Sequence, residues 1–292
     1  MKVSYNWLQN YFNEKLPTPE ELSKTITFHA FEVEGSTKVS DDTVIDIDVL
    51  PNRSSDCLSH RGIAKDISVI LDTPLAKDPL QEKISLTPVS EMLEVNVEEE
   101  NLCRRFSAAV ITGVKIGPSP EWLQKALESM GQKSINNIVD ATNYVMFGLG
   151  QPLHAFDYDA IEGKTMTVRM AKKGEKLETL DDEMMELTPD MLVIEDGKRI
   201  VDLAGIMGGK NSEVGRKTKT VFLQAAIFAP DVMYRSSTAA GKRTEASARY
   251  AAGLDSASAP EGAARAAELI AKLAGGKVVG VMDEYPKQVA PT

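Results

Sequence analysis

The sequence has 292 residues, of which 42% are hydrophobic, so it can bury a large core in one or two domains. Asp and Glu outnumber Lys and Arg by 43 to 33, which gives a formal net charge of −10. This balance argues against a general affinity for nucleic acid, because binding to phosphates depends mainly on positive charge. Any contact with RNA is therefore expected to be local.

The cysteine and histidine pattern argues against a metal site. Cys57 and Cys103 are far apart and form no CxxC pair, and only three histidines could join them as ligands. The sequence shows no signal peptide, and no apolar run approaches the roughly 20 residues that a membrane-spanning helix needs. We therefore predict a cytoplasmic protein with no metal and no membrane association.

The first 80 residues predict a small α+β module. Ser4 can cap a short helix whose apolar stripe lies at residues 7–12. A Thr-Pro-Glu-Glu sequence predicts a second helix over about 19–28, because it supplies a capping box and a proline at the first helical position. Apolar residues that alternate through 45–49 predict a strand, and the spacing in 63–71 predicts a helix.

The rest of this half shows weaker patterns. Residues 31–35 predict a short strand, whereas residues 36–43 are polar and show no periodicity. The segment 73–100 is rich in Pro, Lys and Glu. We interpret residues 81–99 as a linker with the strand that leads into the next domain.

The larger domain, predicted over residues 100–292, combines helices with a mixed sheet. Alternation at 106–116 predicts a strand, and Ser119-Pro120 begins a helix that ends at Gly131. Further predicted elements are strands at 165–170, 191–195, 199–204 and 220–228, a helix over 260–274 and a last strand at 277–282. The predicted fold class is α/β (α+β): a small N-terminal α+β module followed by a mixed-sheet α/β sandwich.

One stretch, residues 134–157, brings candidate polar groups together. Helical spacing ends at glycines, after which a turn leads to His154. Thr142 and Asn143 lie on the predicted helix, so three polar groups are expected to converge. A lone histidine between apolar neighbours is more often a core residue than a catalytic one. The residues alone therefore favour a structural role.

Two long runs resemble a known family. NNIVDATNYVMFGLGQPLHAFD, at 136–157, resembles the editing-domain signature of the β subunit of bacterial phenylalanyl-tRNA synthetases. DIDVLPNRSSDCLSHRGIAKDIS, at 46–68, resembles the N-terminal module of the same subunit. Most bacterial members insert an oligonucleotide-binding barrel where this chain has only residues 36–42. The resemblance therefore implies an N-terminal module plus editing domain that lacks this barrel and the C-terminal modules.

The resemblance also implies an activity and a set of site residues. Editing domains of this family hydrolyse tyrosine that was wrongly attached to tRNA(Phe), because a site specialised for phenylalanine cannot fully reject an added hydroxyl. By position, it implies catalytic roles for His154 and Thr142. Substrate-binding residues are then expected to be Asn143, Ala204, Gly205, Gln224 and Ala246. Without the resemblance, the small residues Ala204, Gly205 and Ala246 are explained equally well by close packing as by a pocket.

Gln224 marks a departure from the family pattern. The strand equivalent to Val-Phe-Leu-Gln-Ala-Ala usually carries a glutamate that accepts the tyrosine hydroxyl proton. A neutral amide oxygen is a weaker acceptor, about 1 kcal/mol against about 1.5 to 3 for a charged one. We therefore expect Tyr-over-Phe discrimination to be weaker or lost. No GxSxG motif is present, so hydrolysis by a positioned water is the predicted mechanism, with backbone amides near Gly205 and the terminal ribose hydroxyl assisting.

A local basic cluster is the candidate RNA contact. Arg235, Lys242, Arg243 and Arg249 face a single acid, Glu245, although a solvated charged loop explains this composition equally well.

The resemblance names partners and leaves alternatives open. The expected partners are tRNA(Phe) and the α subunit, in which ATP and Mg²⁺ act during phenylalanine activation; this chain is expected to need no cofactor. A non-catalytic scaffold or RNA-contact module, and a free-standing deacylase that edits in trans, remain the alternatives.

Overall fold

The computed structural model of the chain describes residues 1–81, 84, 93–98 and 100–287. Helices and strands alternate irregularly, and the strands form several sheets, so the predicted mixed α and β fold class is confirmed. The helices are α1 Tyr5–Gln9, α2 Pro19–His29, α3 Ser54–Cys57, α4 His60–Ile70, α5 Glu121–Ser129, α6 Val139–Leu149, α7 Pro230–Ala240, α8 Glu245–Ala252 and α9 Ser258–Ala274.

Within the described residues, the strands form four sheets. They are β1 Lys2–Ser4, β2 Val33–Val39, β3 Asp42–Ile47, β4 Glu94–Val97, β5 Cys103–Thr112, β6 His154–Asp157, β7 Thr165–Met170, β8 Lys176–Glu178, β9 Met184–Glu186, β10 Leu192–Glu195, β11 Ile200–Leu203, β12 Met207–Gly208, β13 Thr220–Phe228 and β14 Lys277–Glu284. Their orders are β1-β3-β2, β12-β11-β10-β7-β4, β14-β5-β13-β6 and β8-β9.

The N-terminal part begins with well-capped helices around the sheet β1-β3-β2. The Ser4 hydroxyl accepts a hydrogen bond from the Trp7 amide at the start of α1. Thr18 and Glu21 form the predicted capping box at the start of α2. The strand predicted at 31–35 extends further along the chain, because β2 runs from Val33 to Val39 and pairs with β3. Most side chains of β2 are exposed, so this edge strand carries no apolar alternation that a sequence pattern could reveal.

Two sheets pack face to face in the larger part of the chain. Phe222 and Ala226 of β13 face a core that also contains Ile194 of β10 and Val168 of β7. The opposite face of β13 packs with α6 and with the alanine-rich helix α9, whose small side chains allow a close approach. The result is a sandwich of two sheets, with helices covering the outer face of the sheet β14-β5-β13-β6.

Several elements differ from their prediction. The helical spacing noted from residue 135 becomes a helix only from Val139, because the side-chain oxygen of Asn136 accepts a hydrogen bond from the Val139 amide and forms a turn before it. The hairpin β8-β9 and the helices α7 and α8 had no predicted counterpart. Helix α8 starts with a capping box formed by Thr244 and Ser247, which the basic composition of this segment obscured.

The two parts share a buried seam at His60. The His60 ring is fully buried and stacks on Trp7 at 4.0 Å between ring centroids. Its Nδ1–H donates to the Phe147 carbonyl (2.9 Å), and its Nε2 accepts from the Ser4 amide (3.0 Å). Because Ser4 belongs to the N-terminal sheet and Phe147 to α6, one imidazole connects both. Domain boundaries at 80 and 100 remain a prediction.

Replacement of His60 by alanine is expected to lower the free energy of unfolding by about 3 kcal/mol, because two buried backbone groups lose their partner. Burial lowers the pKa of His60 to about 4. His60 in the unfolded chain therefore binds a proton near pH 6.5, whereas His60 in the folded chain does so only near pH 4. The free energy of unfolding consequently falls as pH drops from 6.5 towards 4. Urea unfolding between pH 7.5 and 5 measures both effects. The exposed His29→Ala change is the control, and equal losses in the two variants would contradict the expectation.

Candidate active site

Strand pairing brings His154 and Gln224 to the same face of one sheet. β6 and β13 are antiparallel, and in this pair His154 lies directly opposite Gln224. Directly opposite residues project to the same side, with Cβ atoms about 5 Å apart. Since Phe222 and Ala226 flank Gln224 at alternate positions, both side chains point between the two sheets.

Gly208, on the facing sheet, lies directly against the His154 ring. A Cβ atom at Gly208 of β12 would lie 2.5 Å from Cε1 and 2.6 Å from Nε2 of His154. No side chain fits there unless the imidazole moves. Asp202 of β11 is the partner of Gly208 in the antiparallel pair, so its side chain projects to the same face.

A cavity of about 480 Å³ lies at this junction. Its size is in the range that holds a small organic ligand. Five predicted substrate or catalytic residues line it together with one that the prediction missed: Asn143, His154, Gly205, Gln224, Ala246 and Asp202. The structure thus brings most of the predicted site together.

Thr142 and Ala204 lie outside the cavity wall. The Thr142 hydroxyl donates to the Val139 carbonyl at 2.7 Å, within its own helix. Ala204 is fully buried in the core beside the neighbouring Gly205. This geometry offers no support for a catalytic role of Thr142, because its hydroxyl faces the helix and not the cavity.

Burial sets the charge state of the imidazole in the cavity. His154 is half-buried and packs edge-on against Phe156, with ring centroids 4.4 Å apart. The low-polarity surroundings lower its pKa to about 4. At neutral pH the ring is therefore uncharged, and one ring nitrogen can accept a hydrogen bond from water.

Gln224 presents an unsatisfied acceptor to the cavity. The side chain is 2% exposed, and its Oε1 has no hydrogen-bond partner within the described residues. A buried amide oxygen without a hydrogen-bond partner destabilises the protein by about 1 to 3 kcal/mol. A ligand that donates a hydrogen bond to this oxygen removes that penalty and is therefore bound more tightly. Gln224 is thus placed to bind a hydroxyl or amino group.

Gly205 shapes the wall next to Tyr250. Its φ of +68° lies in the left-handed region, and a Cβ there would stand 2.8 Å from Tyr250 Cδ2. Tyr250 is buried, and its hydroxyl donates to the Pro152 carbonyl at 3.3 Å. Only glycine fits this position without strain.

Asp202 was missed by the sequence reading. It is 3% exposed, and burial raises its pKa well above the usual range. The sequence did contain a sign of this residue, since an aspartate stands inside the apolar run Ile-Val-Asp-Leu-Ala. A charged residue is rarely buried in such a strand unless it has a partner or a function.

The predicted RNA-binding cluster divides in the structure. Arg249 is 2% exposed, and its guanidinium binds the Glu245 carboxylate at 2.6 Å and the Leu58 carbonyl at 3.0 Å. The prediction that Arg249 contacts RNA is therefore corrected: the side chain is a buried link and not part of the surface. Arg235, on the exposed side of α7, pairs with Asp231 at 3.4 Å.

Lys242 and Arg243 remain at the surface beside the cavity. Lys242 forms ion pairs with Asp181 and Glu183, which neutralise its charge. No carboxylate among the described residues is in ion-pair distance of Arg243, which lines the cavity and also an adjacent groove of about 750 Å³. Tyr234, 67% exposed, lines the same groove.

The described residues contain neither a cluster of metal ligands nor a helix suited to span a membrane. In that part of the chain, no three His, Cys, Asp or Glu side chains cluster closely enough to hold a metal ion. Among its helices, none has the length and apolar character that crossing a membrane requires.

Comparison with known proteins places this geometry in a family. The B3/4 domain matches residues 102–275. The phenylalanine–tRNA ligase beta subunit of Geobacter metallireducens is 46% identical over 247 residues, which cover 84% of this chain and 31% of that protein. The beta subunit of Geobacter sulfurreducens is 44% identical over 250 residues, with 85% and 31% covered.

A solved structure is similar at lower identity. An N-terminal fragment of the phenylalanyl-tRNA synthetase beta subunit from Pyrococcus horikoshii aligns with a TM-score of 0.45 at 16% identity, covering 83% of this chain and 74% of that chain. The chain spans about 31% of the length of the curated relatives that it matches. Because the B3/4 domain covers more than half of the chain, the chain belongs to the B3/4 domain family, and it resembles phenylalanine–tRNA ligase beta subunits.

Proposed function

We propose that the cavity is the editing site of a phenylalanine–tRNA ligase β subunit and hydrolyses the ester of tyrosine attached to tRNA(Phe). The observation that carries this proposal is the meeting of His154, Gln224, Gly205 and Ala246 around one cavity of about 480 Å³. A tyrosyl group fits a site of this size, and its hydroxyl has an unsatisfied acceptor in Gln224 Oε1.

Hydrolysis in this site uses water. The neutral ring of His154 accepts a hydrogen bond from a water molecule and orients it towards the ester carbon. The Gly205 amide stabilises the developing oxyanion, since the adjacent amides of Ala204 and Ile206 already donate to backbone carbonyls, and the terminal ribose hydroxyl assists. With a pKa of about 4, the imidazole is a weak base, so its contribution is mainly orientation of the water.

The adjacent groove receives the single-stranded end of the tRNA. Arg243 lines both the groove and the cavity, so a phosphate held at its guanidinium leads the terminal nucleotide into the cavity. The exposed ring of Tyr234 offers a surface on which a base can stack. With a net charge of −10, the rest of the chain adds little to this attraction.

The full enzyme supplies the remaining functions. We place the α subunit and tRNA(Phe) as partners, and assign ATP and Mg²⁺ to phenylalanine activation by the α subunit. The chain itself then needs no cofactor for ester hydrolysis. Both cysteines are free and buried, which agrees with a reducing cytoplasm as its location.

Release of tyrosine from preformed Tyr-tRNA(Phe) by the purified chain tests the proposal. The expected result is faster release of tyrosine than of phenylalanine from Phe-tRNA(Phe) under the same conditions. The uncatalysed loss from each ester, without protein, is the baseline. No turnover at saturating protein would contradict an editing activity of this chain and favour a scaffold role.

Gln224→Glu is expected to raise the preference for Tyr-tRNA(Phe) over Phe-tRNA(Phe) by about 3- to 10-fold. Above the pKa of the new carboxyl group, a charged acceptor binds the phenol hydroxyl more strongly than a neutral amide does, whereas the phenyl ring has no hydroxyl to bind. The ratio of kcat/KM for the two esters measures the effect. Gln81→Glu makes the same charge change at an exposed position outside the cavity and serves as the control. An unchanged ratio would count against Gln224 as a hydroxyl ligand.

A further inference from the structure

The carboxyl group of Asp202 lines the cavity without an evident partner. Asp202 is opposite Gly208 in the pairing of β11 with β12, and the missing Cβ of Gly208 points at the His154 ring. The Asp202 side chain therefore projects from the opposite wall towards the same space as His154 and Gln224. No hydrogen bond or ion pair involves its carboxyl group in the described part of the chain.

A buried carboxyl group without a hydrogen-bond partner lowers the stability of the fold, unless a ligand supplies the partner. Burial raises its pKa well above the usual range, which favours the protonated form of the carboxyl group. In that state it is a hydrogen-bond donor, which an ionised carboxylate cannot be. The Tyr250 hydroxyl donates to the Pro152 carbonyl, and no hydrogen bond joins it to Asp202 in the described residues.

The two unsatisfied groups in the cavity are complementary to a phenol. Gln224 offers an acceptor, Oε1, and protonated Asp202 offers a donor. A phenol hydroxyl donates one hydrogen bond and accepts another, so it matches this pair, whereas a benzene ring matches neither. An ammonium group has three donors and no acceptor, so it would leave the donor of Asp202 unused.

We propose that Asp202 is a specificity-determining residue: its carboxyl group donates a hydrogen bond to the hydroxyl of the tyrosyl group, and that hydroxyl donates a hydrogen bond to Gln224 Oε1. This inference rests on the proposed editing function and extends it to a residue on the facing sheet. Two neutral groups then perform the recognition that the family pattern assigns to one glutamate. The pair discriminates against phenylalanine because both groups lose their ligand when the hydroxyl is missing.

Two substitutions at Asp202 test the proposal. Asp202→Ala removes the donor and is expected to lower the ratio of kcat/KM for Tyr-tRNA(Phe) over Phe-tRNA(Phe) about tenfold. Asp202→Asn keeps an N–H donor at nearly the same volume and is expected to hold the ratio within about threefold of the unchanged chain. Asp190→Ala, at an exposed position outside the cavity, is the control. Thermal unfolding accompanies each variant.

The alternatives give different results. If Asp202 binds the α-ammonium group, both esters slow equally, the ratio is unchanged and asparagine does not rescue. If Asp202 is only structural, Asp202→Ala lowers the melting temperature and leaves the ratio unchanged. Either outcome overturns the proposal.

Binding of non-hydrolysable probes separates this inference from the editing function. The unchanged chain is expected to bind L-tyrosinol more tightly than L-phenylalaninol, and Asp202→Ala is expected to remove the difference. If neither ester is hydrolysed but this binding pattern holds, the editing proposal fails and the role of Asp202 stands. If tyrosine is released and the probe preference survives in Asp202→Ala, the editing proposal stands and the role of Asp202 is overturned. Equal binding of both probes by the unchanged chain also overturns it.

Discussion

His154→Ala is expected to slow the release of tyrosine from Tyr-tRNA(Phe) at least about 100-fold while the protein remains folded. The imidazole lines the cavity on the first residue of β6, so its loss enlarges the cavity more than it disturbs the core. Single-turnover rates and a thermal unfolding curve measure the two quantities. If the variant melts early and its folded fraction keeps full activity, His154 is a core residue.

The neighbouring glycine gives an independent test of the same geometry. Gly208→Ala would place a methyl group 2.5 Å from Cε1 of His154, so the ring has to move. The rate of tyrosine release by Gly208→Ala is therefore expected to fall, as is expected for His154→Ala. Gly215→Ala is the matched control, since a Cβ there meets no atom within 4 Å. Equal activity of both glycine variants would contradict the described cavity.

The low pKa of His154 also predicts the pH profile. A histidine with the usual pKa of 6.5 would lose most of its neutral form between pH 7.5 and 5.5, whereas a pKa of about 4 keeps the ring neutral throughout that interval. The deacylation rate is therefore expected to show no loss that follows protonation of this ring as pH falls to 5.5. A fall with a midpoint near 6.5 would contradict the burial of the ring.

Arg249→Ala is expected to lower the free energy of unfolding by about 3 kcal/mol, because it removes a buried, paired cation and leaves backbone acceptors unsatisfied. The guanidinium donates to the carbonyls of Leu58 and Glu245 and lies over the Phe147 ring at 5.1 Å. It therefore joins α8 to the N-terminal part and to α6. Urea unfolding measures the loss.

The exposed Arg235 provides the control for that experiment. Its ion pair with Asp231 is at the surface, so Arg235→Ala should change stability by no more than about 0.5 kcal/mol. Arg249→Lys should recover only part of the stability, because an ammonium group lacks the fork of donors that reaches separate acceptors. If Arg249→Ala leaves stability intact and weakens tRNA binding, the original RNA-contact prediction is restored.

Local sequence patterns predicted the elements well where capping and periodicity are strong. The capping box at Thr18 and the apolar run of β13 both gave elements close to the observed ones. Helix α8 was missed because its charged residues suggested a solvated loop. The pair Glu245 and Arg249 has the spacing of a helical ion pair, so that signal was present but unused.

The site depended on strand register, which the sequence does not specify. The resemblance named Gln224 and His154, but their position opposite one another follows from the pairing of β6 with β13. Asp202 enters the site only because Gly208 on the next strand faces the same side. Such contacts join residues far apart in the chain, and no local pattern in one sequence encodes which strands become neighbours.

The tip of the hairpin of β2 and β3 is a point at which the chain can accept an insertion without a change in the core. Val39 and Asp42 are paired across its tip, and Ser40 turns the chain with a φ of +55°. Asp42 is held by the Ser4 hydroxyl at 2.5 Å, so β3 is anchored whatever precedes it. A chain that leaves and returns at adjacent points can carry a whole extra module at small entropic cost. An insertion at this tip would therefore change the length of one loop and leave the seam at His60 intact.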